Sequence, residues 1–331
     1  MKRLNFIASL ILAASASTAS IARAQYTAYD LGPGIAYGIN DSGTVVGQSG
    51  GGYAFSYSGG MMTDLGVGAA YGINNAGTIV GGTDGSILAR GNAFSYNSGV
   101  MNYLGSGSAY GINASGTIVG VTTSGDAFSY SSGVMTSLFY GTAYGINDSG
   151  TVVGSSGSGP AVSYSGGVIN YFGSGSAYGI NASGTIVGSA SLGDASDSIQ
   201  AFSYSGDVMT YLGSPGLSGA ARGINSSGTI VGDNAANHAF VYSDGVMTDL
   251  SPYLDSIGLI GVGEANAIND DGDIVGLAFN ASGERDAFLL EPSTVPEPST
   301  VAPLAALLAL GIIGLAWRTK TSAGSPRPQM D

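Results

Sequence analysis

Ala36-Tyr37-Gly38-Ile39-Asn40-Asp41-Ser42-Gly43-Thr44-Val45-Val46-Gly47 decides the reading of the fold, because close copies of this stretch recur along most of the 331-residue chain. The Gly-Ile-Asn signature places its Asn at Asn40, Asn74, Asn113, Asn147, Asn181 and Asn225, and Ala267-Ile268-Asn269 is a degenerate seventh copy. Successive Asn lie 34, 39, 34, 34, 44 and 44 residues apart. A period of this size signals a repeat architecture, in which each unit buries its apolar face against its neighbours.

Within one copy, four short strands are expected. Ala36 to Ile39 is the first and the β-branched Thr44 to Val46 the second. Asn40-Asp41-Ser42-Gly43 forms the turn between them, with Asn and Asp supplying acceptors to their own backbone and Gly a positive φ. Ala54-Phe55-Ser56-Tyr57 is the third strand and Met61 to Leu65 the fourth. The first three types occur seven times and the fourth six, and Tyr26 to Leu31 supplies the missing strand from the other terminus. The resulting expectation is an all-β repeat protein, a β-propeller of seven four-stranded blades closed by the N-terminal strand. Val45 and Val46 would point to opposite faces of a sheet buried on both sides. Gly38 and its counterparts would sit where blades converge and only small residues fit.

The ends read differently. Lys2-Arg3, an apolar run and Ala22-Arg23-Ala24 form a secretory signal peptide over residues 1–24, cut between Ala24 and Gln25. The repeat domain spans 25–291, and a Pro-rich linker covers 292–300. Residues 301–317 carry no charge and are expected to form a single hydrophobic transmembrane or sorting helix, before a basic and polar tail over 318–331.

Charge and composition exclude several function classes. Residues 26 to 291 hold 20 Asp and Glu against only Arg90, Arg222 and Arg285, a net charge of −17. Such a surface repels phosphate backbones, so nucleic acid is not an expected partner. Cysteine is absent, which rules out disulfides and Cys-based zinc sites. His238 is the only histidine and reads as a surface residue beside Asn237. Asp270-Asp271-Gly272-Asp273 has closely spaced carboxylates but lacks the distal Glu of a calcium loop, and matches the structural turns of the other copies. No metal or cofactor is implied.

Two resemblances add an address. Val295-Pro296-Glu297-Pro298-Ser299-Thr300, followed by the apolar segment and basic residues, resembles the PEP-CTERM sorting signal of Gram-negative bacteria. That resemblance implies processing by an exosortase-type enzyme and delivery to the cell surface or exopolysaccharide matrix, with the C-terminal segment holding the chain in the inner membrane beforehand. The repeats look like extracellular HAF-type repeats, although only His238-Ala239-Phe240 keeps all three letters.

The recurrent aromatic position is the candidate binding surface. Tyr37, Tyr71, Tyr110, Tyr144 and Tyr178 share one place in the repeat, with Arg222 at the sixth copy and Ala267 read as its seventh occupant. Aromatic faces with polar tips suit sugar rings, and the same rings also serve packing between units. The function expected is a structural or adhesive, non-enzymatic role in an exopolysaccharide or biofilm setting. The alternative is an enzyme acting on extracellular polysaccharide through carboxylates such as Asp41, Asp64, Asp148 and Asp249.

Overall fold

The computed structural model describes residues 25–83, 91–191, 193, 199–213, 219–234 and 236–293, and Tyr26–Pro292 form one compact unit. Antiparallel strands account for 69% of the described residues, and among these residues the one helix, Ser251–Asp255, lies in the link that contains Pro252.

Strand pairing corrects the propeller. Where separate four-stranded blades were expected, the strands form sheets of seven, thirteen and four strands, none closed on itself. The physical reason lies in the links. The fourth strand of one copy and the first of the next are a single extended segment in Val100–Ile112, Val134–Ile146 and Val168–Ile180, so the β-bonding runs on from copy to copy. Glycines at the joints, such as Gly105 and Gly107 with φ of 134° and 139°, let the backbone turn there without ending the strand. The seven-stranded sheet runs from Leu259–Ile268 through Ile274–Asn280 and Arg285–Ser293 to Gln25–Ile39, then on to Met61–Val67, so strands from both ends of the chain are neighbours.

Each Asn-x-x-Gly turn is built identically. In the first, the Gly43 N–H donates to the Asn40 carbonyl at 2.9 Å, and the Asn40 N–H donates to the Thr44 carbonyl at 3.2 Å. The Asn40 side chain is buried and does two jobs. Its Oδ1 accepts from the Thr44 N–H at 2.9 Å, and its Nδ2 donates to the Asn74 carbonyl of the next copy at 3.2 Å. The same donation passes from Asn74 to Asn113, Asn147, Asn181, Asn225 and Asn269, and Asn269 returns it to the Asn40 carbonyl at 3.1 Å. Seven buried amides thus form one cycle of hydrogen bonds through the interior.

The core repeats with the sequence. Val45 packs in a cluster with Phe55 and Val275, whereas Val46 packs with Ile79 and Phe94 of the following copy. Adjacent valines on opposite faces therefore tie each copy to its two neighbours. Phe55, Phe94, Phe128, Phe202, Phe240 and Phe288 are all fully buried, with Val162 taking the place at the fourth copy. Each such ring contributes about 2–3 kcal/mol by burial.

Tyr26 closes one side of the last copy, its ring edge-on to Tyr253 with centroids 5.4 Å apart. Burial, aided by the neighbouring Tyr253 phenol and Asp273 carboxylate, pushes the Tyr26 phenol up to about 12. The fold holds the neutral form, so its contribution is complete below the unfolded value of about 10 and is lost as the pH rises toward 12. Tyr26→Phe is expected to flatten the fall in stability across that window, measured by urea denaturation at stepped pH. Equal slopes in both proteins would show that this phenol is not held neutral by the fold.

Candidate functional site

The candidate site begins with an irregularity in pairing. Ala36 faces Gly47 and Gly38 faces Val46, so Tyr37 between them has no partner across the ladder. It is the extra residue of a β-bulge, which bends the strand and re-aims a side chain. The same shift occurs between Ala70 and Gly72, Ala109 and Gly111, Ala143 and Gly145, and Ala177 and Gly179. It recurs between Ala221 and Gly223 and between Ala265 and Ala267. The seven extra residues are Tyr37, Tyr71, Tyr110, Tyr144, Tyr178, Arg222 and Asn266.

All seven line one cavity of about 350 Å³, together with Ile35, Glu264, Leu277, Phe279 and Arg285. The five tyrosines and Arg222 singled out from the sequence are therefore brought together. The seventh occupant is corrected: pairing puts Asn266 on the bulge, while Ala267 faces Val275 and takes the place of Gly38. The last copy has changed both letters of Tyr-Gly, so that only Ile268-Asn269 marks its register in the sequence.

The aromatic part is a continuous arc. Ring centroids follow at 5.1, 5.0, 5.7 and 5.4 Å from Tyr37 to Tyr178, each ring tilted by 49–55° to the next. Tilted contacts at this spacing satisfy the ring quadrupoles better than face-to-face stacking does. The arc ends where the Arg222 guanidinium stands 6.0 Å from the Tyr178 centroid. Burial raises the Tyr37 phenol against the nearby positive charge of Arg285, which acts the other way, and Glu264 adds to the rise.

A polar arc completes the lining. Arg222 Nε donates to Asp233 at 2.6 Å, and its Nη2 forms an ion pair with Glu264 at 3.0 Å. Burial works to lower the Arg222 pKa, but the carboxylates of Asp233 and Glu264 more than offset it, so the cation is held firmly. Asn266 Nδ2 donates to the Ala36 carbonyl at 2.9 Å, joining the last copy to the first. Arg285 has no ion-pair partner among the described residues and stands 6.0 Å from the Phe279 centroid.

The carboxylates weighed for catalysis are tied to the backbone. Asp41 accepts from the Asp270 N–H at 3.0 Å, Asp148 from the Ala114 N–H at 2.8 Å, and Asp270 from the Ser226 N–H at 2.8 Å. Asp30, Asp64 and Asp249 each accept from the N–H two residues ahead at 2.8 Å. His238 Nδ1 lies 3.4 Å from Asp249. Burial raises the Asp249 carboxyl, but hydrogen bonds from Ser251 and His238 outweigh it and hold it below the usual range. The Ser251 hydroxyl donates to the Gly261 carbonyl at 2.9 Å. In the Asp270-Asp271-Gly272-Asp273 turn, Asp273 accepts from Asn269 Nδ2 at 2.9 Å, and burial with the charges of Glu291 and Asp271 raises its carboxyl despite that bond. Among the described residues no cluster of three metal-ligating side chains forms.

The C-terminal end supplies a different kind of observation. Residues 294–320 match the PEP-CTERM protein-sorting motif. A signal of this kind marks an exported, surface-associated protein and a substrate of exosortase-type processing. No curated relative matches the chain. Pro296, Glu297 and Pro298 fall within the matched segment, and like residues 301–317 and the expected signal peptide over residues 1–24 they lie outside the described residues. Gln25 opens the strand Gln25–Ile39. Among the described residues no helix is long and apolar enough to cross a membrane.

Proposed function

We propose that this exported protein is a non-enzymatic component of the cell surface or extracellular matrix, and that it holds exopolysaccharide through the tyrosine-lined cavity. Before processing, residues 301–317 retain it at the inner membrane. The observation that carries the reading is the convergence of seven bulge residues, five of them tyrosine, on one cavity. Bulges are costly to pairing and gather where a side chain must be aimed, and phenol rings offer both a face for sugar C–H groups and a hydroxyl for sugar oxygens. The cavity volume lies at the lower end of the roughly 300–1,000 Å³ usual for small-molecule sites, which suits a sugar unit. Among the described residues that line the cavity Glu264 is the one carboxylate, and it is ion-paired with Arg222, which favours binding over hydrolysis, since a glycosidase needs two carboxyl groups facing one bond.

The test is calorimetric titration of the full chain with the extracellular polysaccharide of the producing bacterium, alongside an assay for new reducing ends. Saturable binding without new reducing ends is expected, weakened about tenfold in Tyr144→Ala, whose ring contacts both Tyr110 and Tyr178. Release of reducing ends would replace the binding role with an enzymatic one. Absence of binding by a protein that still melts cooperatively would remove the saccharide reading.

A further inference from the structure

We infer that the cavity selects a saccharide end group bearing a carboxylate, a single uronate unit, with Arg285 as the residue that recognises its charge. The inference rests on the saccharide reading above and concerns which sugar is held. Only three cations occur between residues 26 and 291, and two of them, Arg222 and Arg285, line this one cavity. Their roles differ. Arg222 is already committed to Asp233 and Glu264, so it holds the wall together. Arg285 is exposed and has no carboxylate partner among the described residues, which leaves its guanidinium donors for a ligand. A guanidinium matches a carboxylate with two parallel N–H···O bonds, and such charge-assisted pairs are about twice as strong as neutral ones.

The lining is also one-sided. Tyrosines occupy the first five copies, and Arg222, Asn266, Glu264 and Arg285 come from the sixth and seventh. An arc of tyrosines that runs on to Arg222, with Arg285 beside Phe279 in the last copy, fits a ring with an apolar face and a single acidic substituent. The surrounding charge limits how much acid the ligand can carry. With 20 carboxylates on the body, a chain acidic at every unit is repelled. At physiological salt those distant charges are screened over about 8 Å, whereas a contact inside the cavity is not. An isolated acidic end group satisfies both conditions.

Saturation-transfer NMR on the full chain with methyl β-glucuronide and methyl β-glucoside at 0.15 M salt tests this, with sodium acetate added at matched ionic strength as competitor. The glucuronide is expected to bind about tenfold more tightly than the glucoside. Arg285→Gln should abolish that difference while the melting temperature stays as in the parent. Acetate should compete only weakly. Equal binding of both sugars would overturn the acidic preference and leave the saccharide reading standing. Binding of neither sugar would overturn the end-group inference, and the polymer titration then shows whether the saccharide reading falls with it. Preference retained in Arg285→Gln, or equal competition by acetate, would take the recognition away from Arg285 and the sugar ring respectively.

Discussion

Gly47→Ala is expected to cost at least about 4 kcal/mol, more than a typical core truncation. A methyl group on Gly47 would lie on top of the Ile35 carbonyl oxygen of the paired strand and 2.7 Å from Cζ of Phe55. Neither can yield. The Ile35 oxygen is backbone, beside the bulge that aims Tyr37, and Phe55 is fully buried against Val45 and Val275. The crowding falls beside the bulge, where Ala36 pairs with Gly47 and Gly38 with Val46. Gly81, Gly120, Gly154, Gly188, Gly232 and Gly276 meet a partner-strand carbonyl in the same way, so the requirement comes with every copy. Gly43 provides the contrast. Its φ is 73° and nothing lies within 4 Å of an added methyl, so Gly43→Ala meets only the left-handed penalty of about 1–2 kcal/mol. Urea melts of the two variants compare the two causes. For a domain of this size, a loss of 4 kcal/mol corresponds to a fall in Tm of roughly 8–16 °C. A Gly47→Ala protein no less stable than Gly43→Ala would refute the close approach.

The contrast between Gly38 and Gly47 shows what was legible beforehand. Gly38 attracts notice because it sits in the signature Gly-Ile-Asn, and a methyl there meets the Tyr71 carbonyl oxygen at 3.2 Å, a tight fit but a modest one. Gly47 follows the expected second strand, Thr44 to Val46, and looks like a strand terminus in the sequence, whereas it lies in the middle of Val45–Ser49. Its need for glycine arises beside a bulge in another strand, and a one-residue slip in pairing leaves no local mark. For the same reason the tyrosines could be grouped by position while their shared cavity could not be located. Asn266 was hidden by the changed letters around it. Strand positions were readable because β-branched runs and Asn-x-x-Gly turns are local signals. The sheet organisation was not, because Gly105-Ser106-Gly107 reads as a break in the chain but folds as the middle of Val100–Ile112. Glycine in extended, positive-φ geometry can continue a strand, and nothing in the sequence separates that use from a turn.

The amide cycle gives the second large effect. Asn147→Ala is expected to destabilise the fold by about 2–4 kcal/mol, because three hydrogen bonds are lost at a side chain only 6% exposed. Oδ1 of Asn147 accepts from the Thr151 N–H at 2.9 Å and the Ser149 hydroxyl at 2.8 Å, and Nδ2 donates to the Asn181 carbonyl at 3.2 Å. The Asn181 carbonyl keeps its bond from the Gly184 N–H at 3.0 Å, so the Thr151 N–H is the group left most exposed to loss. Asn147→Asp separates the two halves of the amide. A carboxylate still accepts from Thr151 and Ser149 but cannot donate to Asn181, and it places a negative charge against a carbonyl oxygen in a buried site. The folded state of that variant favours the neutral acid, so its stability is expected to rise as the pH falls through the raised carboxyl pKa, whereas Asn147→Ala shows no such gain relative to the parent. The return bond tests the cycle itself. Asn269 Nδ2 donates to the backbone carbonyl of Asn40, 229 positions away in sequence, so Asn40→Ala leaves that bond in place and Asn269→Ala removes it. Asn269 also accepts from the Asp273 N–H at 2.8 Å and donates to the Asp273 carboxylate at 2.9 Å, so three side-chain bonds are again lost at a buried residue. Asn269→Ala is therefore expected to destabilise the fold by about 2–4 kcal/mol, as Asn147→Ala does, in parallel urea melts, and a cost below about 1 kcal/mol would show that the bond returning to the first turn does not contribute as the others do.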